Sequence, residues 1–170
     1  MILAFRGILP QVASSAFLAP TATVIGDVRI GEESGLWFGV VLRGDVNHIR
    51  IGCRTNLQDG TIVHVTRGTH PTIIGDGVTV AHGVKLHGCT IGDGCLIGIG
   101  AIVLDGVEIG EMSMVAAGSL VVPGTIIPPG SLVVGSPAKV KRSLMDSERK
   151  TLHELSERYV AYRLDYMPPA

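Results

Sequence analysis

Every sixth residue of this chain is aliphatic over most of its length, and few folds tolerate that period. The series opens at Val24, Ile30, Leu36 and Leu42. After three extra residues it resumes at Ile51, Leu57 and Val63, and after five more at Ile74, Val80 and Leu86. It then loses one residue and runs unbroken through Ile91, Ile97, Val103, Ile109, Val115, Val121, Ile127 and Val133. Ile-Gly pairs recur in the same frame, from Ile30-Gly31 to Ile109-Gly110. A hexapeptide period of this kind predicts a parallel β-helix. Each hexad supplies one flat face and one turn, three hexads make a triangular coil, and the aliphatic residue points inward. Glycine serves the turns, where φ is often positive.

The histidines take their meaning from this frame. Leu42, Val63 and Leu86 fall on one face of the prism, so Arg43, His64 and His87, each one residue later, should stack on successive coils about 4.8 Å apart. Leu57 and Val80 share a second face, which stacks Asp59 with His82, each two residues later. Three imidazoles with one open position form the pattern of a catalytic zinc site. His82 lies on a different side from His64 and His87, so the frame predicts that a single chain does not bring all three to one metal. A threefold trimer would, with His82 supplied by the neighbour.

The motifs LRGD (42–45), NLQDG (56–60), His64, AHG (81–83), LHGCTIGDG (86–94) and VVGSPAKVKR (133–142) together resemble the γ-class carbonic anhydrase family over nearly the whole chain. The resemblance implies an all-β solenoid, a left-handed parallel β-helix with a C-terminal helix. It also implies a homotrimer with zinc at each subunit interface, held by His64 and His87 of one chain and His82 of the next. Ferrous iron is the alternative metal. Zinc lowers the pKa of its water to about 7, so the expected reaction is attack of hydroxide on carbon dioxide to give bicarbonate. Gln58, whose amide both donates and accepts, would orient hydroxide or substrate. Tyr159 resembles a tyrosine near the family's active site, and packing is its other reading. Arg43 and Asp45 are expected to pair across the trimer interface, where a planar guanidinium suits a carboxylate. Asp59 is given a structural role there, against an arginine.

Two features depart from the family prototype, which carries one glutamate just after the Arg-x-Asp aspartate and another in a longer acidic loop. Here Val46 takes the first place, and the loop from Val65 to Thr72 holds no acid. Fast proton export is therefore in doubt. His70 could substitute, having an ordinary pKa near neutrality, but reads first as a solvent-exposed loop residue. His48 reads as a loop residue of the insertion 44–50. Two further classes stay open. One is a hexapeptide-repeat acyltransferase or metal-dependent thioesterase acting on a coenzyme A thioester, the other a non-catalytic, metal-stabilised trimeric assembly subunit.

Length and composition bound the rest. The chain's 170 residues suit one β-helix domain over 1–140, with a helix over 141–170 packing on it. A net charge of −1 points to neither nucleic acid nor an anionic membrane surface. Residues 1–9, broken by Arg6 and ended by Pro10, are too short to span a membrane and read as a strand or cap. Cys53, Cys89 and Cys95 are odd in number and lack paired spacing, which fits reduced thiols and a cytoplasmic location. Cys89 lies near His87 but reads as a small buried residue, and Trp37 as packing. Leu152, Leu155, Tyr159, Tyr162 and Tyr166 recur at helical steps and predict an amphipathic helix that starts within 143–147 and ends before Pro168.

Overall fold

The computed structural model describes residues 1–167. It is a parallel β-helix, as the hexads predict, left-handed as the family resemblance implies, and closed by one C-terminal helix. The predicted inward residues are the core. Leu36, Leu42, Leu57, Val63, Val80, Ile97 and Val103 are completely buried. Leu42 pairs with Val63, Val63 with Leu86, Leu86 with Val103 and Val103 with Val121, so one stack of aliphatic side chains runs along this face. A fully buried aliphatic side chain contributes about 1.5–3 kcal/mol, and every coil adds three. Two residues before each of these positions a smaller inward side chain fills the corner: Val78, Val84, Cys89, Cys95, Ala101 and Val107 are all buried. Cys89 and Cys95 are therefore corner residues of the core. Their burial pushes both thiols up to about 12.

Two faces of the prism form one 12-stranded sheet, and the third is an 8-stranded sheet. The first two are continuous because the strands Thr23–Ile30 and Val41–Ile51 run across the corner between them. This corrects the loop expected at 44–50. The three extra residues are absorbed where the pairing of these two strands shifts register between Gly26 and Val28, and His48 lies within the strand. Ile2–Leu3 pairs in parallel with Thr23–Ile30 and caps the first coil, as read from the sequence.

At the other end, Ala138–Ser143 folds back antiparallel on Ser131–Gly135. Residues 140 and 141 lie inside this returning strand, which ends at Ser143. The helix spans Asp146–Tyr166, and the backbone N–H of Met145 donates to the Glu148 carboxylate at its start. Pro168, the expected stop, lies outside the described residues. The helix packs beside strands of the 8-stranded sheet. Leu152, Ser156 and Arg163 are its buried residues, whereas Tyr162 and Tyr166 of the predicted stripe are largely exposed. The stripe still packs, with Leu152 buried and Tyr159 and Tyr166 edge-on to Trp37, and an ion-pair chain runs beside it. Arg54 meets Glu157 through two bonds and Glu33 through a third, while Arg163 reaches Glu33 at 3.0 Å.

Candidate metal centre

His64 and His87 stand side by side at the ends of two adjacent strands, Ile62–His64 and Lys85–His87. The shared inward stack beneath them fixes that neighbourhood: once Val63 and Leu86 point into the core, alternation sends the next residue of each strand outward on the same side. Their ring centroids are 5.0 Å apart, and Nδ1 of His64 faces Nε2 of His87 at 3.0 Å.

The other nitrogen of each ring meets a carboxylate. Nε2 of His64 lies 2.9 Å from Asp45 Oδ1, and Nδ1 of His87 lies 2.6 Å from Asp105 Oδ1. Burial raises the pKa of both aspartates. Hydrogen bonds more than reverse it, from His64 and Arg43 to Asp45 and from His87 and Thr66 to Asp105, so both sit below the usual carboxylate value and are ionised near neutral pH. An ionised carboxylate only accepts, so the ring nitrogen facing it carries the proton. Each imidazole, when neutral, then turns a bare lone pair toward the other. Two acceptors 3.0 Å apart repel unless a proton or a cation lies between them. For comparison, two histidine nitrogens on one tetrahedral zinc would be about 3.3 Å apart, given zinc–nitrogen bonds near 2.0–2.1 Å. The donor set and its spacing fit a metal such as zinc.

His82 lies elsewhere. It follows the strand Thr79–Val80, on the 8-stranded sheet. It too has a carboxylate partner, with Nδ1 3.0 Å from Asp59 Oδ2. This confirms the predicted stacking of Asp59 with His82 and gives Asp59 a histidine partner in place of the expected arginine. Among the described residues, no group of three or more His, Cys, Asp or Glu side chains within the chain is placed to hold a metal ion.

The other candidates divide between these two places. Arg43 bonds Asp45 Oδ2 within the same chain, so the pair expected across an interface already exists inside one copy. A row therefore runs from Arg43 through Asp45 and His64 to His87, Asp105 and Thr66. Gln58 and Tyr159 are with His82, lining one side of a largely apolar groove of about 380 Å³ formed with Leu96, Ile99 and Met114. Gln58 is 4 % exposed and its amide donates to Asn56 Oδ1 at 3.2 Å. Asn56 in turn donates to Thr79 at 2.9 Å. Tyr159 packs edge-on against Trp37, with centroids 5.5 Å apart, so it combines the packing reading with a place beside His82. His70 is not the free loop side chain expected. It is half-buried, the bridge Thr66–His70 closes its loop, and its Cβ comes within 2.7 Å of where a Cβ on Gly88 would stand.

Asp105 and Asn56 were not found from the sequence. Asp105 had a signal: it lies two residues past Val103, the partner of Leu86, so the frame that stacked His64 on His87 also puts Asp105 on the next coil.

Comparison with known proteins gives the family. Residues 88–123 match the bacterial transferase hexapeptide family, described as six repeats. The chain is 48 % identical over 160 residues to a carbonic anhydrase of Geobacillus kaustophilus, covering 94 % of this chain and 87 % of that protein. It is also 48 % identical over 156 residues to the mitochondrial gamma carbonic anhydrase 2 of Arabidopsis thaliana, covering 89 % of this chain and 56 % of the longer plant protein. The chain belongs to the γ-carbonic anhydrase family. Within the solved structures, a hexapeptide transferase family protein from Anaplasma phagocytophilum superposes with a TM-score of 0.94 at 42 % identity, covering 98 % of each chain. The family's fold is thus shared under both carbonic anhydrase and transferase names. No helix among the described residues is long and apolar enough to cross a membrane.

Proposed function

We propose that this protein is a γ-type carbonic anhydrase that interconverts carbon dioxide and bicarbonate at metal sites completed between copies of the chain. The observation that carries the reading is the pair of facing lone pairs on His64 and His87, 3.0 Å apart and each locked by its own aspartate. His82 is the third ligand and comes from the neighbouring copy, because it stands on another face with its own aspartate lock. A closed ring of three copies repeats one such contact three times. Zinc bound there would supply hydroxide at neutral pH by acidifying water, and ferrous iron is the alternative metal.

The residues of the chain divide the remaining work. Asp45 and Asp105 hold two imidazoles in the tautomer that leaves a lone pair for metal. Asp59 does the same for His82. Gln58 lies beside His82 and presents an amide that can both donate to and accept from hydroxide or substrate. Leu96, Ile99 and Met114 give the groove an apolar wall suited to an uncharged gas. Tyr159 closes the same groove from the helix. Proton export is the weak step: Val46 and the acid-free loop 65–72 supply no carboxylate, and His70 is half-buried. The free thiols fit a reducing cytoplasm.

Acyl transfer is the second reading, favoured by the transferase name of the Anaplasma relative. Metal analysis of anaerobically purified protein, with carbon dioxide hydration and acetyl-coenzyme A hydrolysis measured on the same sample, separates the two. One metal per chain with hydration activity that falls on chelation is expected. Metal-independent thioester turnover without hydration would overturn the reading.

A further inference from the structure

We propose that Asp105 is a positioning residue for the metal centre, aiming His87 by holding its Nδ1–H so that Nε2 alone is offered to the metal. The inference rests on the carbonic anhydrase reading for the metal, but its geometry stands without one. Asp105 Oδ1 is 2.6 Å from His87 Nδ1, among the shortest polar contacts of the candidate centre. Its second oxygen is occupied as well, by the hydroxyl of Thr66 at 2.8 Å. Thr66 is itself pinned, since its carbonyl accepts from the side chain of Asn47 at 3.0 Å and its N–H donates to the carbonyl of His70 at 2.9 Å. Both carboxylate oxygens are thus tethered, which fixes the plane of the group and with it the direction in which the imidazole must point.

The backbone makes room for this arrangement. Asp105 lies on the coil after His87 and reaches back over Gly88, where a Cβ would overlap Asp105 Oδ1. Gly88 also has a φ of +58°, which only glycine adopts without cost. Glycine directly after His87 therefore serves Asp105 as well as the turn. The hydrogen bond to an outer carboxylate both selects the tautomer and makes the ring a better donor, and loss of such a partner typically weakens metal binding 10–100-fold.

A purely structural role, anchoring the loop through Thr66, is the competing explanation, and two readouts divide them. The first needs no metal. Long-range proton–nitrogen correlation spectra of histidine-labelled, metal-free protein report which nitrogen of His87 carries hydrogen. The wild type should show Nδ1–H, and Asp105→Ala should lose that preference. The second readout is zinc affinity by competition with a chelator. Asp105→Ala should bind zinc 10–100-fold more weakly. Thr66→Val, which removes only the outer tether, should keep the Nδ1–H form and lose about threefold or less. Should Asp105→Ala fail to fold, Asp105→Leu keeps the branched shape without an acceptor and is read the same way. An unchanged His87 tautomer together with zinc affinity within threefold of wild type overturns the proposal. So does a Thr66→Val defect equal to that of Asp105→Ala, which would make the loop anchor the whole effect. If the wild type binds no zinc while Asp105→Ala still shifts the tautomer, the positioning role stands and the metal reading fails.

Discussion

Mixing two inactive variants tests the division of ligands between copies. His82→Ala removes the ligand on the 8-stranded sheet, and His64→Ala removes one of the adjacent pair on the other face. A trimer made only of either variant has no complete site. In a mixed trimer a site is rebuilt wherever a His82→Ala chain, offering His64 and His87, adjoins a His64→Ala chain offering His82. With random assembly from equal parts, each of the two places is filled by the right chain half the time, so about one quarter of all sites are complete. The dependence on composition is the product of the two fractions. Mixing at one to four should therefore give about two-thirds of the peak, and the curve should be symmetric. The assay is co-refolding across a range of ratios, dialysis against buffered zinc, and zinc counted per chain, with hydration activity tracking it. Two nitrogens alone leave too few donors to hold zinc tightly, so the pure variants should sit near zero. A flat line at that baseline for every ratio would refute the reasoning, because it would mean that one chain supplies all three ligands.

Three further outcomes follow from the same geometry. Added imidazole buffer should raise the hydration rate, since no acid occupies position 46 or the loop 65–72; a fast enzyme indifferent to buffer would point to another proton route, and His70→Ala would test the nearest one. Native protein should expose a single thiol, Cys53, to a disulfide reagent near neutral pH, while Cys89 and Cys95, buried and raised to about 12, react only on unfolding; three native equivalents would contradict the corner packing. Glu148, pulled down to about 2 by Arg142 and the Met145 N–H, and Glu157, lowered by Arg54, both have folded values below their unfolded ones. Their contribution to helix docking is complete above the ordinary glutamate pKa of about 4.3 and is lost as pH falls toward 2; helical circular dichroism should decline over that window, and the Glu148→Gln, Glu157→Gln double variant should flatten the decline.

The coils were legible because their signal is redundant. Each inward residue repeats the instruction of the one before, and three interruptions of the period did not hide the frame. The His64–His87 pair and the Asp59–His82 pair followed from that frame by counting. The residues that escaped were those whose roles depend on side-chain reach. Asp105 comes back to His87 from the next coil through space left by Gly88, which a column of positions does not describe. Asp45 was expected to pair with Arg43 across an interface; the sequence did not show that within one chain its two oxygens meet Arg43 and His64. The helix was found by its tyrosine spacing, and Tyr159 and Tyr166 do pack on Trp37; what the spacing did not show is the charge beside them, where Arg54 and Glu33 face Glu157 and Arg163. Ion pairs separated by 103 and 130 positions in the chain leave no periodic trace.

The corners of the prism are where this chain can change length without losing phase. The step from Val63 to Leu86 takes 23 residues, whereas that from Val103 to Val121 takes 18, yet both pairs sit level in one ladder. The surplus is spent in the loop between His64 and Thr72, outside any flat face. One residue added inside the strand Lys85–His87 would instead exchange inside for outside, burying an imidazole and exposing a leucine. Sequence drift is thus channelled: the rim beside the candidate centre can lengthen, shorten or acquire acids, while the spacing of the ligands stays quantised by the coil. A lineage on this scaffold could retune proton traffic through that rim and leave the metal geometry untouched.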